Sequence, residues 1–64
     1  MILGTRLKEF RLRRGLTQEE LAATLHVCRT TIAGWENGKR IPDIFMLCNI
    51  ADAFEVSLDD LVGR

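Results

Sequence analysis

The sequence predicts an all-α fold, a compact single domain of five helices over residues 1–64. Apolar residues recur at helical spacing along the chain, and no segment alternates with the period of two that is typical of a strand. Two segments, TQEE at 17–20 and SLDD at 57–60, have the pattern of a capping box at a helix start. A chain of this size buries only about 60% of its unfolded surface, so one small core is expected.

The first helix is indicated by Leu3, Leu7 and Phe10, which follow one another at helical spacing. It is expected to end at Gly15, after the basic run at 11–14. Glycine readily adopts the left-handed conformation that closes a helix, and basic side chains favour the negative end of the helix dipole.

The second helix is predicted to begin after Thr17, whose hydroxyl can accept a backbone hydrogen bond while the Glu20 carboxylate accepts another in return. Leu16 and Leu21 have the spacing of a hydrophobic staple across this start. Leu21 and Leu25 then face the core, which makes this a helix of about two turns.

The third helix is predicted over residues 28–37, with Cys28, Ile32 and Trp35 on its inward side. Trp35 has an alternative role as a base-stacking residue, but its spacing favours packing in the core. The outward side carries one long basic side chain and otherwise short residues. Its members are Arg29, Thr30, Ala33, Gly34 and Asn37.

The fourth helix opens at Pro42 and Asp43, residue types that are common at helix starts. Its predicted buried stripe consists of Leu47, Ile50, Ala51 and Phe54. A short fifth helix follows Ser57, the first residue of the second capping-box pattern.

The formal net charge is zero, but the charges are segregated along the chain. Residues 1–42 hold eight basic and four acidic side chains, a net of +4, whereas residues 43–64 hold one basic and five acidic side chains, a net of −4. Such a dipolar molecule can turn a positive face towards phosphates. The alternative is two solvated faces of opposite sign with no nucleic-acid partner.

Several classes of function are not indicated. Cys28 and Cys48 stand far apart without paired histidines, so no metal site is expected and both are interpreted as reduced, structural thiols. His26 is the only histidine and has no nearby nucleophile, so no enzyme and no cofactor are expected. The small core leaves little room for a small-molecule ligand. The absence of an apolar run of about 20 residues and of a signal-peptide pattern favours a cytoplasmic protein without a membrane partner.

A short helix, a tight turn at 26–28 and a second short helix form a helix-turn-helix, whose second helix is built to enter a DNA major groove. From about Leu3 to Leu61 the chain resembles the lambda repressor and Cro type of helix-turn-helix domain, in the XRE-like family of transcriptional regulators. The resemblance is carried by GLTQEELA, TTIAGWENGKRIPD and IADAFEVSLDDL, in this order. It implies a five-helix lambda-repressor-like DNA-binding domain, with the helix-turn-helix at about 17–37 formed by helices two and three. It further implies a homodimer that binds double-stranded DNA at a palindromic operator and acts as a repressor.

The resemblance also implies roles for individual residues. Base edges would be read by Arg29, Thr30 and Gly34, to which the chemistry of a methyl contact with thymine adds Ala33. Phosphates would be held by Thr17, Gln18, Thr31, Asn37, Lys39 and Arg40. Arg11 and Glu36 match a pair that forms a structural salt bridge between helices one and three in similar proteins.

The residue types fit these roles. An arginine such as Arg29 can donate two hydrogen bonds to guanine O6 and N7, worth about 1–3 kcal/mol of discrimination, and Thr30 can bond a base edge. Gln18, in the first turn of helix two, can bond a phosphate next to the positive end of the helix dipole. The small Ala33 and Gly34 are interpreted as allowing close approach to the groove. The alternative is a loosely specific or unused surface.

Three residues depart from the family pattern. His26 and Glu55 follow helix ends where similar proteins usually carry a left-handed glycine, and Cys28 replaces the usual Ser or Thr cap of helix three. A second function also stays open, a protein-interaction module such as an antitoxin or accessory subunit without sequence-specific DNA binding. The acidic end, with Leu58, Leu61 and Val62, would then supply the contact surface.

Overall fold

The structure, a computed structural model, describes residues 2–63. This part of the chain forms five helices and no strand, which confirms the predicted all-α fold. The helices are α1 (Leu3–Arg13), α2 (Gln18–Leu25), α3 (Arg29–Glu36), α4 (Ile44–Phe54) and α5 (Leu58–Val62). Their arrangement is compact, with principal extents of 27 × 23 × 19 Å.

A single core holds the five helices together, and each helix contributes one large side chain to its centre. These side chains are Leu7, Leu21, Ile32, Ile50 and Leu61, all without solvent exposure. Truncating such a side chain to alanine typically costs 2–5 kcal/mol, a large share of the ~5–15 kcal/mol that stabilises a domain. Detachment of any one helix would therefore remove one of these central side chains from the core.

Local hydrogen bonds define most helix starts as the sequence predicts. The Thr17 hydroxyl accepts from the Glu20 backbone N–H, and the Glu20 carboxylate accepts from the Thr17 N–H, so the capping box is complete. Asp43 and Ser57 cap α4 and α5 through a single side-chain bond each. Of the four helices from α2 to α5, only α3, whose N-cap is Cys28, starts without a side-chain cap.

The ends of α2 and α4 confirm the expected left-handed residues. His26 has φ 58° and Glu55 has φ 56°, the two non-glycine residues with positive φ between residues 2 and 63. Each turns the chain sharply into the next helix, which keeps both connections short.

The prediction that Cys28 faces the core is wrong, because its side chain is exposed. Cys28 is the N-cap of α3 and has extended backbone angles, φ −78° and ψ 151°, so the helical spacing used to place it does not apply. Ile32 and Trp35, which lie within the helix, are buried as predicted. Cys48 is exposed as well, so neither thiol is a core residue.

The longest helices have 11 residues, far below the ~20 that a bilayer requires. Within residues 2–63 no helix could therefore cross a membrane.

Candidate nucleic-acid interface

Helices α2 and α3 form a helix-turn-helix with a tight, fully bonded connection. The backbone N–H of Val27 donates to the Ala22 carbonyl at 3.0 Å, and that of His26 donates to the Ala23 carbonyl at 3.3 Å. After the extended Cys28, α3 begins at once. Ala22 is buried in the core, and its small side chain takes up little space beside the turn.

The outer side of α3 presents the residues that the sequence assigns to base reading, with one exception. Arg29 and Thr30 are exposed at the first turn, and Ala33 is partly exposed one turn later. Thr31 is partly exposed, and Asn37 is exposed at the C-terminal end. At helical spacing Arg29, Thr30, Ala33 and Asn37 lie on one side of α3, whereas Thr31 lies apart from them, beside the buried Trp35.

The exception is Gly34, and the prediction that it faces outward is wrong. Gly34 is buried, and its carbonyl accepts a hydrogen bond of 3.1 Å from the Arg40 backbone N–H. A Cβ atom at residue 34 would lie 3.2 Å from Arg40 Cδ and 3.3 Å from Cγ. The loop after α3 thus folds back and lays the Arg40 stem across the glycine. A base could reach Gly34 only if that stem moved.

Arg11 and Glu36 form a buried ion pair between α1 and α3. Arg11 Nε donates to Glu36 Oε2 at 2.7 Å, Nη2 donates to Oε1 at 3.2 Å, and the two side chains are only 9% and 6% exposed. A third bond, from Arg11 Nη1 to the Leu16 carbonyl at 2.8 Å, fixes the loop before α2. Such two-bond pairing, with the third guanidinium nitrogen also bonded, offsets the cost of burying both charges.

A chain of hydrogen bonds connects this buried pair with the exposed start of α3. Gln18 Nε2 donates to Glu36 Oε1 at 3.1 Å, and Arg29 Nη1 donates to Gln18 Oε1 at 3.3 Å. Because the Gln18 amide carries two N–H donors and Arg29 carries five, both retain donors for DNA. This connection is not predicted from the sequence, although Gln18 and Arg29 each occupy the first position of a helix.

The same region forms an open cleft at the first turns of α2 and α3. It is lined in part by Arg11, Leu12, Thr17, Gln18 and Arg29. The positive ends of two helix dipoles at this cleft favour a negatively charged group, whereas the Glu19 carboxylate in its lining opposes one.

The exposed basic residues of the helix-turn-helix lack the ion pairs that other arginines make. Within residues 2–63 no carboxylate lies within 4.0 Å of the basic groups of Arg29, Lys39 or Arg40, whereas Arg6 and Arg13 both pair with Glu9 on α1. The Asn37 side chain bonds the Lys39 backbone N–H at 3.0 Å and so shapes the loop that carries Lys39 and Arg40. Of the lysine and arginine side chains of residues 2–63 without an ion pair, three therefore lie in or just after α3, and Lys8 and Arg14 at α1 are the other two.

A family model described as helix-turn-helix matches residues 7–61. The chain belongs to the helix-turn-helix family. Among similar members, the HTH-type transcriptional activator BcrR of Enterococcus faecalis is 40% identical over 98% of this chain and 31% of its own length. An uncharacterised HTH-type transcriptional regulator of Archaeoglobus fulgidus is 44% identical over 92% of this chain and 84% of its own.

Solved structures of helix-turn-helix proteins share the fold. A transcriptional regulator from Listeria innocua superimposes with a TM-score of 0.90 at 32% identity, over 97% of this chain and 58% of that one. The restriction-modification controller protein C.AhdI from Aeromonas hydrophila gives 0.85 at 32% identity, over 92% and 89%. The chain thus spans less than two thirds of the E. faecalis and Listeria proteins.

Proposed function

We propose that this helix-turn-helix domain is a sequence-specific regulator of transcription that binds double-stranded DNA and reads the major groove with residues 28–37. The observation that carries the proposal is the exposed start of α3, where Arg29 has no carboxylate partner and is held by Gln18. Guanine offers two acceptors, O6 and N7, that match the arginine fork. Thr30 and Ala33 complete the base-reading surface.

Phosphate contacts position this surface without reading sequence. We assign them to Thr17 and Gln18 at the start of α2, to Thr31 and Asn37 on α3, and to Lys39 and Arg40 in the following loop. Gly34 is the least supported of the base-reading residues, because the Arg40 stem covers it. Arg11 and Glu36 hold α3 against α1 and do not contact DNA.

The proposed regulator is a repressor that binds a palindromic operator as a homodimer in the cytoplasm. Repression requires only that the bound domain occupy the DNA. Similar proteins include the cryptic phage CTXphi transcriptional repressor RstR of Vibrio cholerae, 34% identical over this whole chain and 57% of its own length, besides the activator named above. The proposed activity is binding without catalysis, cofactor or small-molecule ligand.

A second candidate function is a protein-interaction module, which is favoured by the exposed apolar side chains at the start of α4. Salt separates the two candidates. A protein that neutralises several phosphates loses affinity steeply between roughly 50 and 200 mM salt, whereas an apolar interface responds little.

The test is a titration of the domain with a duplex of mixed sequence at increasing salt. We expect log K to fall linearly with log salt, and Lys39→Ala to reduce the slope by about 1, because one phosphate contact is lost. Arg13→Ala is the matched control, since Arg13 is an exposed arginine paired with Glu9, and its slope should equal that of the wild type. Absence of DNA binding at low salt would refute the proposal.

A further inference from the structure

We infer that a second copy of this chain docks on the apolar surface formed by Ile41, Ile44, Phe45 and Cys48, here named the α4 patch, with the two α4 helices antiparallel. This inference rests on the proposed symmetric reading of DNA, for which it names the dimer surface.

The α4 patch is unusually apolar for a surface. Phe45 is 80% exposed, Ile41 69% and Ile44 58%, all within five consecutive residues, and Cys48 is exposed one turn further along α4. A single exposed apolar side chain is ordinary, but a contiguous group marks an interaction site. Met46, Leu47 and Ile50 form the side of α4 that packs against or within the core. The patch lies on another side of α4, which the fold does not cover.

The charges at the two ends of α4 determine how two patches would meet. Lys39 and Arg40 lie in the loop before α4 and Asp43 caps its start, whereas Asp52 on α4 and Glu55 at its C-cap follow the patch. In a two-fold dimer each surface meets its own copy. An antiparallel arrangement centred between Phe45 and Cys48 places Arg40 of one copy near Asp52 of the other. A parallel arrangement would instead oppose like charges, which disfavours it.

The area of the patch corresponds to a weak dimer interface. A stable interface buries about 800 Å² per partner and at least about 1,000 Å² in total, whereas a tenth of this domain's 4152 Å² is about 400 Å² per copy, or about 800 Å² in total. A phenylalanine side chain supplies about 150–250 Å² when buried, and the two isoleucines add much of the remainder. Association is therefore weak in free solution and strengthens on DNA, where adjacent half-sites raise the effective concentration.

The first test is sedimentation equilibrium at protein concentrations up to the millimolar range, without DNA. The wild type is expected to form dimers, and Phe45→Glu is expected to stay monomeric at every concentration. Leu58→Glu is the control for the competing surface at the C-terminal end, where Leu58 is 36% exposed and Leu61 is wholly buried. It should dimerise like the wild type. A monomeric wild type, or dimerisation lost in Leu58→Glu and retained in Phe45→Glu, overturns the inference.

Cross-linking tests the same surface without a change in its shape. A short bis-maleimide should link two copies of Cys28→Ser through Cys48 and should not link Cys48→Ser, whose remaining thiol lies at the start of α3. Cross-linking through Cys28 alone would overturn the inference.

The sedimentation and cross-linking tests both omit DNA, so their outcome can be interpreted even if the domain does not bind DNA. Phe45→Glu should bind a duplex with a single half-site with the affinity of the wild type. Its affinity for a duplex with two half-sites should be no higher than for a single half-site.

Discussion

Two single residues show how local backbone conformation limits the stability of this domain. His26 and Glu55 adopt the left-handed conformation that closes α2 and α4, at φ 58° and 56°. A side chain with a Cβ atom costs roughly 1–2 kcal/mol there, and glycine avoids this cost. Both conformations are expected from the family resemblance, because each residue follows a helix end where similar proteins usually carry a left-handed glycine.

Replacing His26 with glycine is expected to raise the melting temperature. Relief of about 1 kcal/mol corresponds to ~4–8 °C for a domain of this size. The measurement is thermal unfolding followed by circular dichroism. Ala23→Gly, at an exposed position inside α2, is the matched control and should lower the melting temperature, since glycine costs ~1 kcal/mol in a helix interior. An equal effect of both substitutions would contradict this explanation.

Cys28 offers a second gain in stability, because it occupies the N-cap of α3 and makes no side-chain cap bond. A serine hydroxyl accepts hydrogen bonds better than a thiol and should bond the backbone near residue 31, with a gain of about 0.5–1 kcal/mol. Urea unfolding of Cys28→Ser measures this gain. Cys48→Ser, at an exposed site within α4, should leave the midpoint unchanged, and an equal gain there would show that the cap is not the cause.

At the scale of the helices, Gly4 on α1 and Gly34 on α3 each allow a close contact. Gly4 lies against the backbone of α3, whereas Gly34 lies against the side chain of Arg40. A Cβ atom on Gly4 would lie 2.6 Å from the Trp35 carbonyl oxygen and 2.7 Å from that of Glu36, both of which belong to the backbone. On Gly34 it would meet the flexible Arg40 stem at 3.2 Å. Backbone cannot yield without moving a helix, whereas a side-chain stem can shift.

Alanine at these two glycines should therefore have opposite effects. Gly4→Ala is expected to lower stability by about 1–3 kcal/mol, because α1 and α3 must separate. Gly34→Ala is expected to raise it by roughly 0.5–1 kcal/mol, because the helix-propensity gain exceeds the small displacement of Arg40. Chemical denaturation of both variants decides the matter, and a loss in Gly34→Ala as large as in Gly4→Ala would show that Arg40 cannot move.

At the scale of the whole molecule, the features that sequence predicts are those with local signals. The five helices, the Thr17 capping box and the turn at His26 all depend on residues close together in the chain. Burial of Gly34 was missed because it depends on the path of the loop after α3. The bond between Gln18 and Glu36 was missed for a similar reason, since it joins residues 18 positions apart.

The buried Arg11–Glu36 ion pair contributes both to the stability of the domain and to the position of the DNA-reading residues on α3. Glu36→Gln leaves the Arg11 charge buried without a counter-charge and is expected to cost about 3–5 kcal/mol. Replacing both residues, as Arg11→Met with Glu36→Leu, should recover most of that loss, because no charge is then buried. Urea unfolding of the single and double variants tests this. Equal losses in both would contradict an electrostatic cause.

The double variant also separates stability from reading of DNA. Its folded domain lacks the Glu36 carboxylate that holds Gln18, so Arg29 is less restrained. We expect weaker preference for guanine with little change in the salt dependence of binding. Gln18→Ala is the matched comparison and should weaken the same preference.

The most direct test of DNA reading by α3 is selection of bound sequences from a random pool of double-stranded DNA at moderate salt, with wild type, Arg29→Ala and Lys39→Ala in parallel. We predict a two-fold symmetric site with a guanine at a fixed place in each half. Arg29→Ala should lose that guanine alone, and Lys39→Ala should select the same site with lower affinity. No enriched sequence with the wild type, or an unchanged guanine preference in Arg29→Ala, would contradict the account.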